Sequence, residues 1–227
     1  MSIGTVEPGN IVDKSAWSKE TMKIKNHSLY LILTEEFCNG KNLLTIAKEA
    51  IDAGIDILQM REKHKSKEEL IELGKKMSAL CKKKGVIFIV NDRADVAWEV
   101  GADGVHLGQE DMQKHPISDV RKVIGRKMIG LSTHSILQVK EANDMDIDYI
   151  AYGPIFATKT KDYHLGTAGI EDAVNTAKKP LIFIGGIDEV NAKEIVSKGG
   201  KNIAAIRAIA QSKDIGAAIS RFKEVLI

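Results

Sequence analysis

The sequence lacks the features that mark membrane-spanning, secreted or nucleic-acid-binding proteins. Its 227 residues contain no run of about 18 consecutive apolar residues, the length that crosses a bilayer as a helix. The opening segment, MSIGTVEPGNIVDKSAWSKETMKIKNHS, has no apolar core of the kind found in a signal peptide. A formal net charge of +2 gives no general attraction to nucleic acid. We therefore expect a cytoplasmic protein that binds neither membranes nor nucleic acid.

Cysteine is scarce as well. The two cysteines, Cys38 and Cys81, form neither a disulfide framework nor a C-x-x-C metal spacing. This usage fits a reducing compartment such as the cytoplasm. Nucleotide-binding signatures are also missing, since the sequence has no P-loop and the IGGI at 184–187 does not have the G-x-G-x-x-G spacing.

What the sequence does contain is an alternation of short apolar segments with amphipathic ones. The amphipathic segment after Ser66 opens with a capping box, Ser66 with Glu69, and ends in three lysines before Gly85. Ser135 and Gln138 mark a second helix start of the same type. The apolar segments predict strands at 29–33, 55–60, 86–90, 103–107, 128–132, 148–152, 181–184 and 202–206.

The even-numbered strands share a lead-in, which indicates a fourfold βαβα repeat. An acidic or amide residue stands at each of these strand starts, namely Asp56, Asp103, Asp148 and Asn202. Eight strand–helix units within about 200 residues predict an α/β fold, a single (β/α)8 TIM barrel over 29–227. Residues 1–28 are expected to form an N-terminal extension, with a short helix around Ala16 to Lys23. A doubly wound open sheet is the alternative, and the missing dinucleotide signature counts against it.

The second strand changes character along its length. Side chains alternate between the two faces of a strand, so Ile57, Gln59, Arg61 and Lys63 share one face. That face begins aliphatic and ends with an amide and two cations. Active sites of (β/α)8 barrels lie at the carboxyl ends of the strands, so we interpret the change as the point where the strand reaches the barrel mouth.

Other strands also end in unusual residues, and these should meet at the same mouth. Asp92 and Asp111 are expected among several cations and neutral hydrogen-bond donors. Two carboxylates beside cations make sense if Mg²⁺ bridges them to a phosphate, because Mg²⁺ usually takes one or two carboxylates plus substrate oxygens. Gly185, Gly186 and the end of the eighth strand predict a phosphate site. The cations are Arg61, Lys63, Lys161 and Arg207, and the neutral donors are Asn91, Thr158 and Thr160.

These residues predict a reaction between two anionic substrates, one a metal-bound diphosphate and one a phosphate. Displacement of diphosphate by a phosphorylated nucleophile would use both sites. Each residue also has a structural interpretation. Asp92 could cap a helix, Asp111 could be a loop-end cap, Ser132 and Ser135 could be capping residues, and Lys159 could be a solvated loop charge. His134 is more often a hydrogen-bonded structural histidine, and His106 is expected to line the core because no zinc-binding spacing surrounds it.

Six segments in order resemble the thiamine phosphate synthase family. They are QMREK, VNDRADVA, GADGVHLGQEDM, GLSTHS, YGPIFATKTK and FIGGI, each at a successive strand end. The resemblance runs from about Tyr30 to the C-terminus. It implies a (β/α)8 barrel that joins hydroxymethylpyrimidine diphosphate to hydroxyethylthiazole phosphate with Mg²⁺, giving thiamine phosphate and diphosphate. A homodimer is among the assemblies that the sequence leaves open.

The resemblance also implies roles for individual residues. Asp92 and Asp111 are expected to bind Mg²⁺. Arg61, Lys63, Ser132 and Lys161 are expected to be catalytic. The pyrimidine diphosphate site is expected to contain Gln59, Arg61, Lys63, Asn91, Ser132 and Lys161. The thiazole phosphate site is expected to contain Thr158, Thr160, Gly186, Ile206 and Arg207.

One position departs from the family pattern, which usually has a serine where this sequence has Arg207. The guanidinium could hold the thiazole phosphate directly, or it could turn outward to a helix carboxylate. Two rival functions remain. A thiazole tautomerase of the same barrel family would use a histidine like His134 and would not need Asp92 and Asp111. A non-catalytic sensor of phosphorylated ligands would be expected to lose a cation or an aspartate.

Overall fold

The chain forms a closed barrel of eight parallel strands, as the computed structural model describes it over residues 23–159 and 161–227. The strands follow one another around the barrel in chain order, and the last pairs with the first. They are β1 (Leu29–Leu33), β2 (Ile57–Met60), β3 (Ile87–Asn91), β4 (Gly104–Leu107), β5 (Met128–Thr133), β6 (Tyr149–Tyr152), β7 (Leu181–Ile184) and β8 (Asn202–Ala205). The predicted TIM barrel is confirmed, and the doubly wound sheet is wrong.

Helices cover the outside of the barrel. They are α1 (Leu43–Asp52), α2 (Lys67–Lys84), α3 (Ala94–Glu99), α4 (Gln109–Lys114), α5 (Ile117–Ile124), α6 (Ile136–Asn143), α7 (Ile170–Thr176), α8 (Ala192–Ser197), α9 (Arg207–Ala210) and α10 (Ile215–Leu226). A 3-10 turn, Glu35–Phe37, follows β1. Within the described ranges, no helix has the length and apolar character needed to cross a membrane.

The segment before β1 is only partly described. Residues 1–22 and most of the helix expected around Ala16 to Lys23 lie outside the described residues. Ile24 is buried against the side chains that fill the barrel, and His27 N donates to Lys201 O at 3.0 Å. The predicted boundary between an extension and the barrel at residue 28 stays a prediction.

Two layers of apolar side chains form the core. Inside the barrel, Tyr30, Ile57, Ile89 and Tyr149 pack together with other inward residues of the strands. The other face of each strand packs against the helices in a larger cluster. Gln59 lies among the inward residues and is 1% exposed, so the inward direction expected for this face of β2 is confirmed.

Side chains at the starts of the even strands explain the fourfold repeat. Leu29 N donates to Asp56 Oδ2 at 2.7 Å, Phe88 N to Asp103 Oδ2 at 2.8 Å, and Ile129 N to Asp148 Oδ2 at 2.8 Å. Asn202 has the same place in β8, and its Nδ2 donates to Leu181 O at 3.0 Å. Each side chain therefore binds backbone of the preceding odd strand at the amino-terminal end of the barrel.

Of the two predicted capping boxes, the one at Ser66 is complete and the one at Ser135 forms only one of its two hydrogen bonds. Ser66 and Glu69 form the complete capping box of α2, and Gly85 ends that helix in the left-handed conformation. Ser135 Oγ accepts from Gln138 N at 3.2 Å, as expected. Gln138 Oε1, however, accepts from His134 N at 2.7 Å. The Gln138 side chain therefore binds the backbone of His134, and not that of the cap residue Ser135 as the expected box requires.

Candidate active site

A cavity of about 860 Å³ opens at the carboxyl ends of the strands. Its size suits small-molecule substrates. Of the site residues expected from the sequence, Thr160 lies outside the described part of the chain. The others all line this cavity, namely Gln59, Arg61, Lys63, Asn91, Asp92, Asp111, Ser132, Thr158, Lys161, Gly186, Ile206 and Arg207. The convergence on one mouth that the sequence predicted is therefore found for every described candidate.

Asp92 and Asp111 come together from the loop after β3 and from the start of α4. Asp92 follows β3 with a φ of 62°, in the left-handed region that Asp tolerates better than most residues. Its N–H donates to His106 O at 2.8 Å, and Asn91 Nδ2 donates to its carboxylate. Asp111 lies in the first turn of α4. A Cβ added at Gly108 would approach Asp111 Oδ2 to 2.8 Å, so the glycine leaves room for this carboxylate.

The structure does not support helix capping by either aspartate. Arg93 occupies the N-cap position of α3, and Gly108 occupies that of α4. Burial, followed by repulsion from Asp111, raises the pKa of Asp92 to about 6, while Lys63 and Arg61 act in the opposite direction. Two carboxylates in contact beside cations have unfavourable electrostatics that a bound cation would relieve.

The composition of this site fits a hard divalent cation. Over the described residues, no group of three or more His, Cys, Asp and Glu side chains could surround a metal. Asp92 and Asp111 could therefore supply two ligands and leave the remaining positions to water and substrate oxygens. Mg²⁺ has this coordination preference in sites that handle phosphates.

The opposite side of the mouth is formed by glycines and Arg207. Gly186 has a φ of 64°, and a Cβ there would approach Ala157 O to 2.4 Å. The loops after β6 and β7 can therefore meet only because this residue is glycine. Arg207 Nη2 donates to Thr158 Oγ1 at 3.5 Å, and its guanidinium lies over the Phe37 ring at 5.4 Å. Arg207 thus lines the mouth, and the alternative in which it turns outward is wrong.

Five polar side chains form a continuous hydrogen-bond network under the cavity. We call Gln59, Tyr30, Tyr149, His106 and Ser132 the floor network. Gln59 Nε2 donates to Tyr30 Oη at 2.6 Å, and the two tyrosine hydroxyls are 3.1 Å apart. The Tyr149 hydroxyl is 3.0 Å from His106 Nδ1, and His106 Nε2 is 2.9 Å from Ser132 Oγ.

His106 lines the barrel interior, as predicted. Burial lowers its pKa to about 4, so the imidazole is neutral at physiological pH. Burial also raises the pKa values of Tyr30 and Tyr149, which keeps both hydroxyls protonated. His106 does more than fill space, since it is the direct partner of Ser132.

His134 is held by backbone at the edge of the same cavity. Its Nδ1 is 2.6 Å from Gly153 O, and its ring meets that of Tyr163 edge to face at 6.1 Å. Because a carbonyl oxygen can only accept, Nδ1 carries the proton. The hydrogen bond expected of a structural histidine is therefore present, and His134 also lines the cavity.

Some lining residues were not anticipated from the sequence. Phe37 comes from the turn after β1, and Gln109 Nε2 donates to Ser132 O at 2.5 Å. Tyr149 was not anticipated as a network member. Strand alternation puts Tyr149 and Tyr152 on opposite faces of β6, but the pattern alone does not tell which of the two points inward. Phe37 had no sequence signal, because a single aromatic after a strand is common in cores.

The mouth of this (β/α)8 barrel contains cations, a carboxylate pair and a glycine-lined loop. These features define the class of enzymes that act on anionic small molecules. A family model described as thiamine monophosphate synthase matches residues 29–209. The chain belongs to the thiamine monophosphate synthase family. The family, the fold and the transferase class expected from the sequence are confirmed.

Individual relatives agree with the family assignment. The chain is 38% identical to a thiamine-phosphate synthase of Halalkalibacterium halodurans, over 89% of this chain and 97% of that protein. It is 40% identical to that of Pelotomaculum thermopropionicum, over 87% and 91% of the two chains. A solved thiamine phosphate pyrophosphorylase from Pyrococcus furiosus superposes with a TM-score of 0.81 at 32% identity, covering 88% of this chain and 95% of its own.

Proposed function

We propose that the protein joins hydroxymethylpyrimidine diphosphate to hydroxyethylthiazole phosphate in a Mg²⁺-dependent reaction, giving thiamine phosphate and diphosphate. The observation that carries the proposal is the contact between Asp92 and Asp111, beside Lys63 and Arg61 in one cavity. A site for one phosphate alone does not need a carboxylate pair. A site from which a metal-bound diphosphate leaves does need one, to hold the metal. The small-molecule partners and the cytoplasmic location expected from the sequence belong to the same proposal.

The diphosphate is held at the side of the mouth formed by β2, β3 and the loop after β6. Asp92 and Asp111 would hold Mg²⁺, which supplies positive charge to the departing oxygens when bound. Arg61, Lys63 and Lys161 bind the same group with charged donors, and Asn91 adds a neutral one. All of these side chains act before the reaction to orient the diphosphate, so little reorganisation is needed as charge develops.

The pyrimidine ring lies deeper, over the floor network. Gln59 and Ser132 line the cavity there, and both can form hydrogen bonds to a heterocycle. The thiazole phosphate lies at the ends of β6 to β8, where Thr158, Gly186 and Ile206 line the cavity. Thr160 belongs to this site by the expectation from the sequence. Arg207 adds a bidentate donor to this phosphate, a role that follows from its position beside Thr158.

The reaction breaks one bond before it forms another. The carbon–oxygen bond between the pyrimidine methylene and the diphosphate breaks, and the diphosphate leaves with the electron pair. The thiazole ring nitrogen then gives its lone pair to the methylene cation and forms the carbon–nitrogen bond. That nitrogen carries no proton, so no general base is required, and the catalytic contribution is electrostatic and positional.

The proposal is tested by incubating the purified protein with both substrates and Mg²⁺ and detecting thiamine phosphate by mass spectrometry. We expect product only when both substrates are present. Asp119→Asn is a suitable control variant, because Asp119 is an exposed partner of Lys122 on α5 and does not line the cavity. Absence of thiamine phosphate with folded protein would refute the proposal.

The same experiment separates the rival functions. A thiazole tautomerase would convert the thiazole phosphate without the pyrimidine substrate and would yield no thiamine phosphate. A non-catalytic sensor would bind one or both substrates and convert neither. Binding without turnover would therefore favour the sensor.

A further inference from the structure

The floor network connects Gln59 to His106 and Ser132 through two tyrosines that lie beneath the cavity. Gln59 and Ser132 both line the cavity. Tyr30 and Tyr149, which lie between them in the network, are 2% and 0% exposed. The connection crosses the barrel interior, with members on β2, β1, β6, β4 and β5 in turn. Such a network has consequences for the substrate because each hydrogen bond limits the direction of the next.

The Gln59 end of the network has a defined donor. The amide nitrogen of Gln59 can only donate, so Tyr30 Oη accepts from it. The Tyr30 hydroxyl then has its proton available for Tyr149 Oη, 3.1 Å away. The Tyr149 proton in turn is available for His106 Nδ1.

The His106 ring continues the network through its two nitrogens. When Nδ1 of His106 accepts, Nε2 must carry the ring proton. In that tautomer Nε2 donates to Ser132 Oγ, 2.9 Å away. The Ser132 hydroxyl has accepted a hydrogen bond from below, and its own proton is free to point into the cavity.

We propose that Tyr30, Tyr149 and His106 are positioning residues that hold Ser132 as a hydrogen-bond donor toward the pyrimidine substrate. This inference rests on the proposed function for the identity of that substrate. An aminopyrimidine has ring nitrogens that accept and an exocyclic amine that donates. The floor network therefore selects the ring orientation in which an acceptor atom, rather than the amine, faces Ser132.

Removing one hydroxyl from the network tests this role with little change in packing. In Tyr149→Phe the ring stays in place against Gly130, where even a Cβ would approach the tyrosine ring to 2.0 Å. We expect the KM for the pyrimidine diphosphate to rise about fivefold, the size of one lost neutral hydrogen bond, with the KM for the thiazole phosphate unchanged. Tyr30→Phe interrupts the network one step earlier. It should raise the same KM by a smaller factor.

A double-mutant cycle distinguishes positioning from a general structural role. If Tyr149 acts through Ser132, Tyr149→Phe should change the pyrimidine KM by less than about twofold in a Ser132→Ala background. Tyr152→Phe is the matched control, because Tyr152 lies on the same strand but packs outside the barrel against Phe183. Additive effects of Tyr149→Phe and Ser132→Ala, or equal changes in both KM values, would overturn the inference.

The tautomer of His106 gives a test that does not depend on turnover. Nitrogen-15 NMR of the ligand-free protein should show His106 as the Nε2–H tautomer, with His106→Gln identifying its signal among the six histidines. The preference should be lost in Tyr149→Phe. An Nδ1–H tautomer in the unmodified protein would overturn the inference even if thiamine phosphate is formed. An Nε2–H tautomer without thiamine phosphate formation would refute the proposed function and leave the direction of the network intact.

Discussion

At the scale of single residues, Asp92 and Asp111 are the strongest test of metal dependence. We expect Asp92→Asn and Asp111→Asn each to lower turnover by at least about 10²-fold, because each removes a charged ligand of the proposed Mg²⁺. The fold should be unchanged by circular dichroism, and Asp119→Asn should keep full activity. Near-normal turnover in the presence of EDTA would contradict the Mg²⁺ assignment.

Substitutions of the mouth cations and of His134 distinguish the proposed synthase reaction from the tautomerase reaction. Replacing Arg61, Lys63 or Lys161 with Ala should reduce turnover by roughly 10²–10³-fold, the effect of losing one preorganised electrostatic contact. His134→Ala should be mild, since its Nδ1 is bound to Gly153 O and the proposed reaction needs no base. Collapse of activity in His134→Ala with tolerance at Lys161, measured as thiamine phosphate formed per second, would favour a tautomerase.

Arg207 stands where the sequence analysis expects a serine in the family, and its effect should be confined to one substrate. Its guanidinium lies between Phe37 and Thr158, beside the proposed thiazole phosphate. Arg207→Ser should raise the KM for the thiazole phosphate and leave the KM for the pyrimidine diphosphate nearly unchanged. Steady-state kinetics with each substrate varied in turn measures both values. An unaltered thiazole phosphate KM would show that Arg207 does not bind this phosphate.

At the scale of secondary-structure elements, the starts of the even strands hold the barrel together. Asp103 is buried and accepts from Phe88 N, so its loss leaves a buried N–H without its acceptor. Asp103→Ala should therefore lower the free energy of unfolding by about 1–3 kcal/mol in urea denaturation. Asp119→Ala, at an exposed ion pair, should change it by less than about 1 kcal/mol. Equal destabilisation by both variants would show that this strand-start hydrogen bond has no special role.

Element boundaries were predictable where apolar segments decide them. β1 and β7 begin and end at the predicted residues, 29–33 and 181–184. β2, β4 and β6 begin one or two residues later than predicted, because the strand-start aspartates turn their side chains back to the preceding strand instead of joining the ladder. Gln138 shows a similar limit. Its type and spacing predicted a cap, but two backbone N–H groups were within reach, and the sequence does not tell which of them it binds.

At the scale of the whole molecule, the two ends of the barrel have separate tasks. The amino-terminal end holds the strand-start carboxylates, and the carboxyl-terminal end holds the cavity and its charged residues, a division typical of this fold. The sequence predicted the members of the mouth because each lies just after an apolar strand. The floor network could not be predicted, since it depends on the register of five strands that are distant in sequence. The contact between Phe37 and Arg207 is hidden for the same reason.

The central claim is that one carbon–nitrogen bond forms for each diphosphate released. Parallel measurement of thiamine phosphate and diphosphate during the reaction with both substrates and Mg²⁺ tests it most directly. We predict that the two products appear in a one-to-one ratio, and that both disappear with EDTA and in Asp92→Asn. Diphosphate release without thiamine phosphate, or conversion of the thiazole phosphate alone, would contradict the account.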